Sequence, residues 1–125
     1  IFKYDNKIYE KMLKKYDNSY ERFDIVVVDI GSEDIIKRII AMPGETISCE
    51  NGIVYVNGRR QDESYSKGIT FDFEKIVLAE DEYFVMGDNR PHSTDSRSFG
   101  CVPLEKVESK VWIRFWPLNK FGKVN

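Results

Sequence analysis

Two segments of this chain carry residues whose types and spacing could do chemistry. The first is Asp34-Ile35-Ile36-Lys37-Arg38-Ile39-Ile40-Ala41-Met42-Pro43-Gly44-Glu45, a β-branched run that enters a Pro-Gly turn. A strand sends alternate side chains to opposite faces, so Ile35, Lys37 and Ile39 share one face and Ile36, Arg38 and Ile40 the other. A lysine on an isoleucine face lies at an edge with its head in water, or it is desolvated. Desolvation disfavours the ammonium form and lowers the pKa, which makes lysine a general base near neutral pH. Taken alone, the segment reads as an edge or snorkelling lysine, because lysine is seldom fully buried; the rest of the chain reverses that reading.

The second segment is Gly87-Asp88-Asn89-Arg90-Pro91-His92-Ser93-Thr94-Asp95-Ser96-Arg97-Ser98-Phe99-Gly100. Two carboxylates (Asp88, Asp95), two guanidinium groups (Arg90, Arg97) and several hydroxyls crowd into one loop between apolar stretches, as in a site presented on a rigid scaffold. Asp–Arg pairs could simply hold the loop's shape. His92 lies beside Ser93 and Asp95, but triad partners must converge in space, and near neighbours in sequence seldom do. Asp95 and Arg97, two apart, suit an ion pair. Metal ligation by Asp88 and Asp95 is opposed by the adjacent arginines, and Cys49, Cys101 and the single histidine lack zinc-ligand spacing. No metal and no cofactor is expected.

The elements that must position these residues are mostly β. The 125 residues, 42% apolar and 14% aromatic, suit one compact domain and argue against disorder. A net charge of −2 argues against a broad nucleic-acid surface. No apolar run approaches the roughly 20 residues that span a bilayer. The first residue is Ile rather than Met, so a fragment or processed product is expected. The two cysteines could pair outside the cytoplasm or serve as small buried apolar residues. Residues 1–21 read as a separate helical segment: Asn6 could cap a helix with Ile8, Tyr9, Met12, Leu13 and Tyr16 on one stripe and lysines around the rest. That helix packs on the domain or meets an anionic membrane surface.

Residues 22–125 are expected to form the core. Strands are predicted at 23–29 and through Lys37, then at 46–49 and 53–56, with tight turns at Asn51-Gly52 and Asn57-Gly58. A polar loop over 60–70, short strands at 69–73 and 75–78, and a strand at 83–86 follow. Residues 46–80 thus read as a hairpin-rich insertion. One helical turn is predicted over 103–107, and a last strand over 110–116 with Trp112 and Trp116 on one face.

Read together, Lys37-Arg38 with Pro43-Gly44, followed downstream by Gly87-Asp88-Asn89-Arg90 … Ser93 … Asp95-Ser96-Arg97 … Phe99-Gly100, closely resemble type I signal peptidases. These are bacterial membrane-anchored serine proteases that remove signal peptides from exported proteins. Arg22-Phe23-Asp24-Ile25-Val26-Val27 is similar to the family's Arg-Gly-Asp-Ile-Val-Val strand, with Phe23 in place of glycine. The resemblance, from about residue 22 to Trp116, implies a mostly β fold of antiparallel sheets with short peripheral helices. It implies that Lys37 is the general base of a Ser/Lys dyad and that Ser93 orients its amine. It also implies ion pairs of Asp88 with Arg38 and of Asp95 with Arg97, and substrate pairing along Asp34, Ile35 and Ile36 by β-augmentation. Implied partners are preprotein signal peptides with Ala-X-Ala-like sites and the membrane surface, at the extracytoplasmic face of the bacterial plasma membrane. The chain departs from the family pattern in one respect: no serine is followed by methionine, whereas the family nucleophile sits in a Ser-Met-x-Pro box before the lysine strand. That box and the membrane helix are expected upstream of Ile1. The competing expectation is a signal-peptidase-like protein without peptidase activity, acting as an assembly factor or chaperone for surface polymers such as pili.

Overall fold

In a computed structural model, residues 20–111 are described. They form nine strands: β1 (Ile25–Asp29), β2 (Asp34–Ala41), β3 (Thr46–Glu50), β4 (Ile53–Val56), β5 (Arg59–Arg60), β6 (Phe73–Val77), β7 (Glu82–Met86), β8 (Val102–Pro103) and β9 (Val107–Lys110). A short helix, α1 (Ser96–Phe99), and 3-10 turns at Arg90–His92 and Leu104–Lys106 complete the fold. The strands make two antiparallel sheets, a five-stranded one in the order β8-β7-β2-β1-β9 and a four-stranded one in the order β5-β4-β3-β6. The predicted mostly β architecture with short peripheral helices is what is found.

Alternation along the central strands divides the core. Val26 and Val28 of β1, Ile39 of β2 and Tyr83 and Val85 of β7 bury one face of the five-stranded sheet together with Val102 and Val107. Phe84 and Met86 of β7 and Ile40 and Ala41 of β2 bury the other face, against Ile47, Cys49, Val54 and Val56 of the second sheet. Ile40 and Ala41 point the same way because the β2–β7 register shifts between Ile39 and Ala41, a bulge that re-aims the strand end. Burying about 1.5–3 kcal/mol per large apolar side chain on both faces makes β2 and β7 the rigid centre of the molecule.

The turn chemistry follows the sequence. Asn51-Gly52 and Asn57-Gly58 take positive φ at both residues, the backbone of the two-residue hairpin turn whose twist matches its strands. One expectation needs correction. No strand covers 69–73; β6 runs over Phe73–Val77, and Ile69 and Phe71 stand exposed before it. The chain ahead of β6 is held by side-chain contacts elsewhere. Gly68 turns at φ +78, Thr70 accepts from Arg90, and the Asp72 carboxylate accepts from the amides of Asn51 and Gly52. The cysteines are free thiols, Cys49 within the core and Cys101 half-buried. The helix expected in 1–21, apart from its last two residues, and the Trp112/Trp116 face lie outside the described residues.

Among the described residues Phe23 is the one bulky residue in the left-handed region, at φ +76. Such a backbone costs an L-residue roughly 1–2 kcal/mol and costs glycine nothing, which accounts for the glycine that the resemblance sets at this position. Phe23 is held by its amide donating to the Ile39 carbonyl, by its own carbonyl accepting from Arg38, and by its ring against Tyr65, 5.6 Å between centroids. Phe23→Ala keeps the strain and loses the ring, whereas Phe23→Gly loses both. In urea unfolding Phe23→Ala is therefore expected to be the less stable of the two by about 1 kcal/mol; the opposite order would show that strain at this position is negligible.

Candidate active site

β2 delivers Lys37 and Arg38 to opposite faces of the five-stranded sheet, and one loop reaches both. That loop, residues 87–100, leaves the end of β7 beside Arg38, where Arg38 and Met86 are register partners. It then wraps the sheet edge to the Lys37 side. Lys37 is only 5% exposed, and its Nζ donates to Ser93 Oγ at 3.0 Å. Burial lowers its pKa. Asp95 and, more weakly, Asp88 pull in the opposite direction, and Arg97 adds to the lowering.

Ser93 in turn donates to Asp95 Oδ2 at 2.7 Å. A hydroxyl carries one proton. With that proton directed at Asp95, Ser93 can only accept from Lys37, so the lone pair of a neutral amine stays free for another hydroxyl. Asp95, whose side chain is fully buried, also accepts from the Gly87 amide and from Nε and Nη2 of Arg97, at 2.9, 2.8 and 2.7 Å. Burial alone would raise the Asp95 pKa, but Arg97, the Gly87 amide and Ser93 together hold it below the usual carboxylate range. Asp95 also caps α1 by accepting from the Arg97 amide. Across the sheet, Asp88 binds Arg38 through two parallel bonds, Nε to Oδ1 at 3.0 Å and Nη2 to Oδ2 at 2.7 Å.

Beside the amine runs an open backbone edge. β1 pairs with all of Asp34–Arg38, but β7, on the other side of β2, joins only at Arg38, Ile39 and Ala41. Among the described residues no strand pairs with Asp34, Ile35 and Ile36 on that side. Asp34 is exposed, and Ile35 and Ile36 are half-buried. His92 is exposed at the end of its 3-10 turn.

Of the residues the sequence singled out, the fold brings Lys37, Ser93, Asp95 and Arg97 into one hydrogen-bonded chain, with Arg38 and Asp88 behind it. Sequence reasoning missed two supports. Arg22 binds Glu45 through both nitrogens, and Glu45 also accepts from the Met42 amide, so the Pro-Gly turn is tied to the start of the core. Arg90, its side chain fully buried, is bound by Glu63 from the 60–70 loop. Neither partner carried a signal: Glu45 sits in a turn, and Glu63 follows Asp62 in a polar loop.

The family described as signal peptidase, peptidase S26, matches residues 3–116. The chain belongs to the signal peptidase family. It is 33% identical over 132 residues to signal peptidase I S of Bacillus subtilis (strain 168), covering 95% of this chain and 72% of that protein. It is 41% identical over 88 residues to a probable signal peptidase I-2 of Synechocystis, covering 70% of this chain and 40% of that protein. A crystal structure of a signal peptidase I from Enterococcus faecalis V583 superposes with a TM-score of 0.67 at 34% identity, over 74% of this chain and 97% of that one. The signal peptidase fold thus underlies the strand arrangement around Lys37.

Breaking a buried ion pair from one side costs about 3 kcal/mol or more. Asp95→Asn is expected to lose about that much stability at neutral pH, measured by denaturant unfolding. The Asp95 carboxylate is held below its ordinary range, so its contribution is complete above the unfolded-state pKa and is lost as pH falls through the depressed folded value. The gap between parent and variant should therefore close in acid. A gap that is constant with pH would deny Asp95 its charged role.

Proposed function

We propose that this chain is the core of an extracytoplasmic serine endopeptidase that removes signal peptides from exported preproteins, with Lys37 as general base. The observation that carries this reading is the water-poor amine of Lys37 donating to Ser93. A serine hydroxyl is a weak nucleophile until a positioned base takes its proton. Lysine serves only when neutral, and burial favours that form. Ser93 and Asp95 act as the orienting pair, leaving the amine's lone pair for the nucleophile. The reaction proceeds through an acyl-enzyme, after which the same amine activates water. No cofactor or metal takes part in this scheme.

The nucleophilic serine comes from outside this chain. Ser19 and Ser32, the two serines before Lys37, do not stand in a Ser-Met-x-Pro box, and Ser32 is exposed in the turn after β1. Ser93 has its proton engaged by Asp95. The substrate's extended backbone pairs with the open edge at Asp34, Ile35 and Ile36, and Ile36 helps wall the small pockets that select Ala-X-Ala-like residues. Among the described residues no helix is long and apolar enough to cross a membrane. The reading sets the domain at the outer face of the bacterial plasma membrane, held by an anchor that is not among those residues.

The test uses the full-length protein and a signal-peptide substrate. Lys37→Ala is expected to abolish cleavage while the domain stays folded, and Ser93→Ala to lower turnover about 100-fold through misorientation of the amine. Turnover should rise with pH through the Lys37 pKa, with an acid limb below the ordinary lysine range, because the neutral amine is the active form. Undiminished cleavage by Lys37→Ala would reject the base assignment. Absence of any cleavage by the parent, with the substrate peptide still bound, would favour a holding role in surface-polymer assembly.

A further inference from the structure

The loop between β5 and β6 grips the 87–100 loop at several points. The Lys67 amide donates to the Asp88 carbonyl at 2.7 Å, and the Arg90 amide donates back to the Lys67 carbonyl at 3.0 Å, an isolated parallel bridge. Gly68 lies so close to Pro91 that a Cβ there would fall 2.5 Å from the proline ring. The Glu63 carboxylate takes both terminal nitrogens of Arg90, at 3.1 and 2.6 Å, and accepts from the Tyr65 hydroxyl at 3.1 Å. The Tyr65 ring then serves two cations. The Arg38 guanidinium carbon lies 4.4 Å from its centroid and that of Arg90 5.8 Å. Phe23 closes a further side of the ring.

These contacts end at the amine by two routes. The Arg90 carbonyl accepts from Arg97 Nη2 at 3.0 Å, and Arg97 leads through Asp95 and Ser93 to Lys37. Arg38, seated on the Tyr65 ring, is the next residue in β2 after Lys37 and fixes Asp88 at the root of the same loop. We infer that Tyr65, braced by Glu63, is a positioning residue for the reaction: its ring seats Arg38 and Arg90 and so sets the distance and direction between Ser93 and Lys37. This rests on the proposed role of Lys37 as base. Tyr65 itself touches neither substrate nor the reacting atoms. Its ring supplies the part, and its hydroxyl only tethers it to Glu63.

The experiment compares Tyr65→Ala, Tyr65→Leu and Tyr65→Phe, with exposed Arg60→Ala as control, in the full-length protein. Two readouts are taken: the NMR titration of the Lys37 side-chain amine, and kcat and KM on a signal-peptide substrate. Tyr65→Ala and Tyr65→Leu should each lower kcat about 10- to 100-fold with KM nearly unchanged, since sub-ångström misplacement acts on the chemical step. Both should also raise the Lys37 titration toward the ordinary lysine range as the site loosens and wets; the charged groups facing that amine, Asp95, Arg97 and Asp88, are unaltered. Tyr65→Phe keeps the ring and should restore both values, and Arg60→Ala should change neither.

Tyr65→Leu retains apolar volume against Phe23, so it answers the question even where Tyr65→Ala does not fold. If Tyr65→Leu is less stable but keeps the parental kcat and Lys37 titration, Tyr65 is only a packing residue and the inference falls. Full turnover by Lys37→Ala would instead sink the base reading. In that case the Lys37 titration still reports whether Tyr65 holds the amine.

Discussion

The site depends on keeping an amine dry while carboxylates stand close to it. Burial drives Lys37 toward its neutral form, but an unmatched carboxylate nearby would hold it charged. Both nearby acids, Asp95 and Asp88, are bound through two bonds by a guanidinium, Arg97 and Arg38. Arg97 itself opposes a charge on Lys37, and burial remains the largest influence. The two arginine–carboxylate pairs therefore do more than brace a loop. They leave Asp95 free to accept from the Ser93 hydroxyl while burial keeps the Lys37 pKa below the ordinary lysine range.

Backbone geometry makes this possible. Consecutive residues of β2 point to opposite faces, so Lys37 and Arg38 cannot both meet one flat surface. The 87–100 loop satisfies both by straddling the sheet edge, with Asp88 on the Arg38 side and Ser93 and Asp95 on the Lys37 side. Because β7 stops pairing at Arg38, the same loop departure also leaves the Asp34–Ile36 edge open beside the amine. One event, the end of β7, thus leaves that edge unpaired and delivers the polar groups beside it. Among the described residues, no buried side-chain polar atom is left without a partner, as a site of this density requires.

The second sheet takes part through its connecting loop as well as its core. Cys49, Val54 and Val56 cover one face of the central strands, and Glu63 and Tyr65 reach past that face to Arg90 and Arg38. Phe23 shows the cost of this arrangement. It holds a left-handed backbone that glycine would adopt freely, and its ring and carbonyl serve Tyr65 and Arg38 in return.

How much could be read without coordinates follows from the range of each interaction. Strand identity, the face alternation of β2 and the Asn-Gly turns are local: they depend on β-branching, period two and positive φ, all legible in neighbouring residues. The short spacing of Asp95 and Arg97 likewise announced an ion pair, and the two family boxes announced the meeting of Lys37 with the 87–100 loop. The extent of β6 was not legible, because the residues before it are claimed by Arg90 and by the Asn51-Gly52 turn, contacts about 20 residues away in sequence. Nor were Glu63 and Tyr65, which sit in a polar loop with no periodicity and acquire meaning only when the two sheets stack. The chemistry was written in residue types. Its support was decided by packing, since a buried guanidinium takes whichever carboxylate and ring the fold brings within reach.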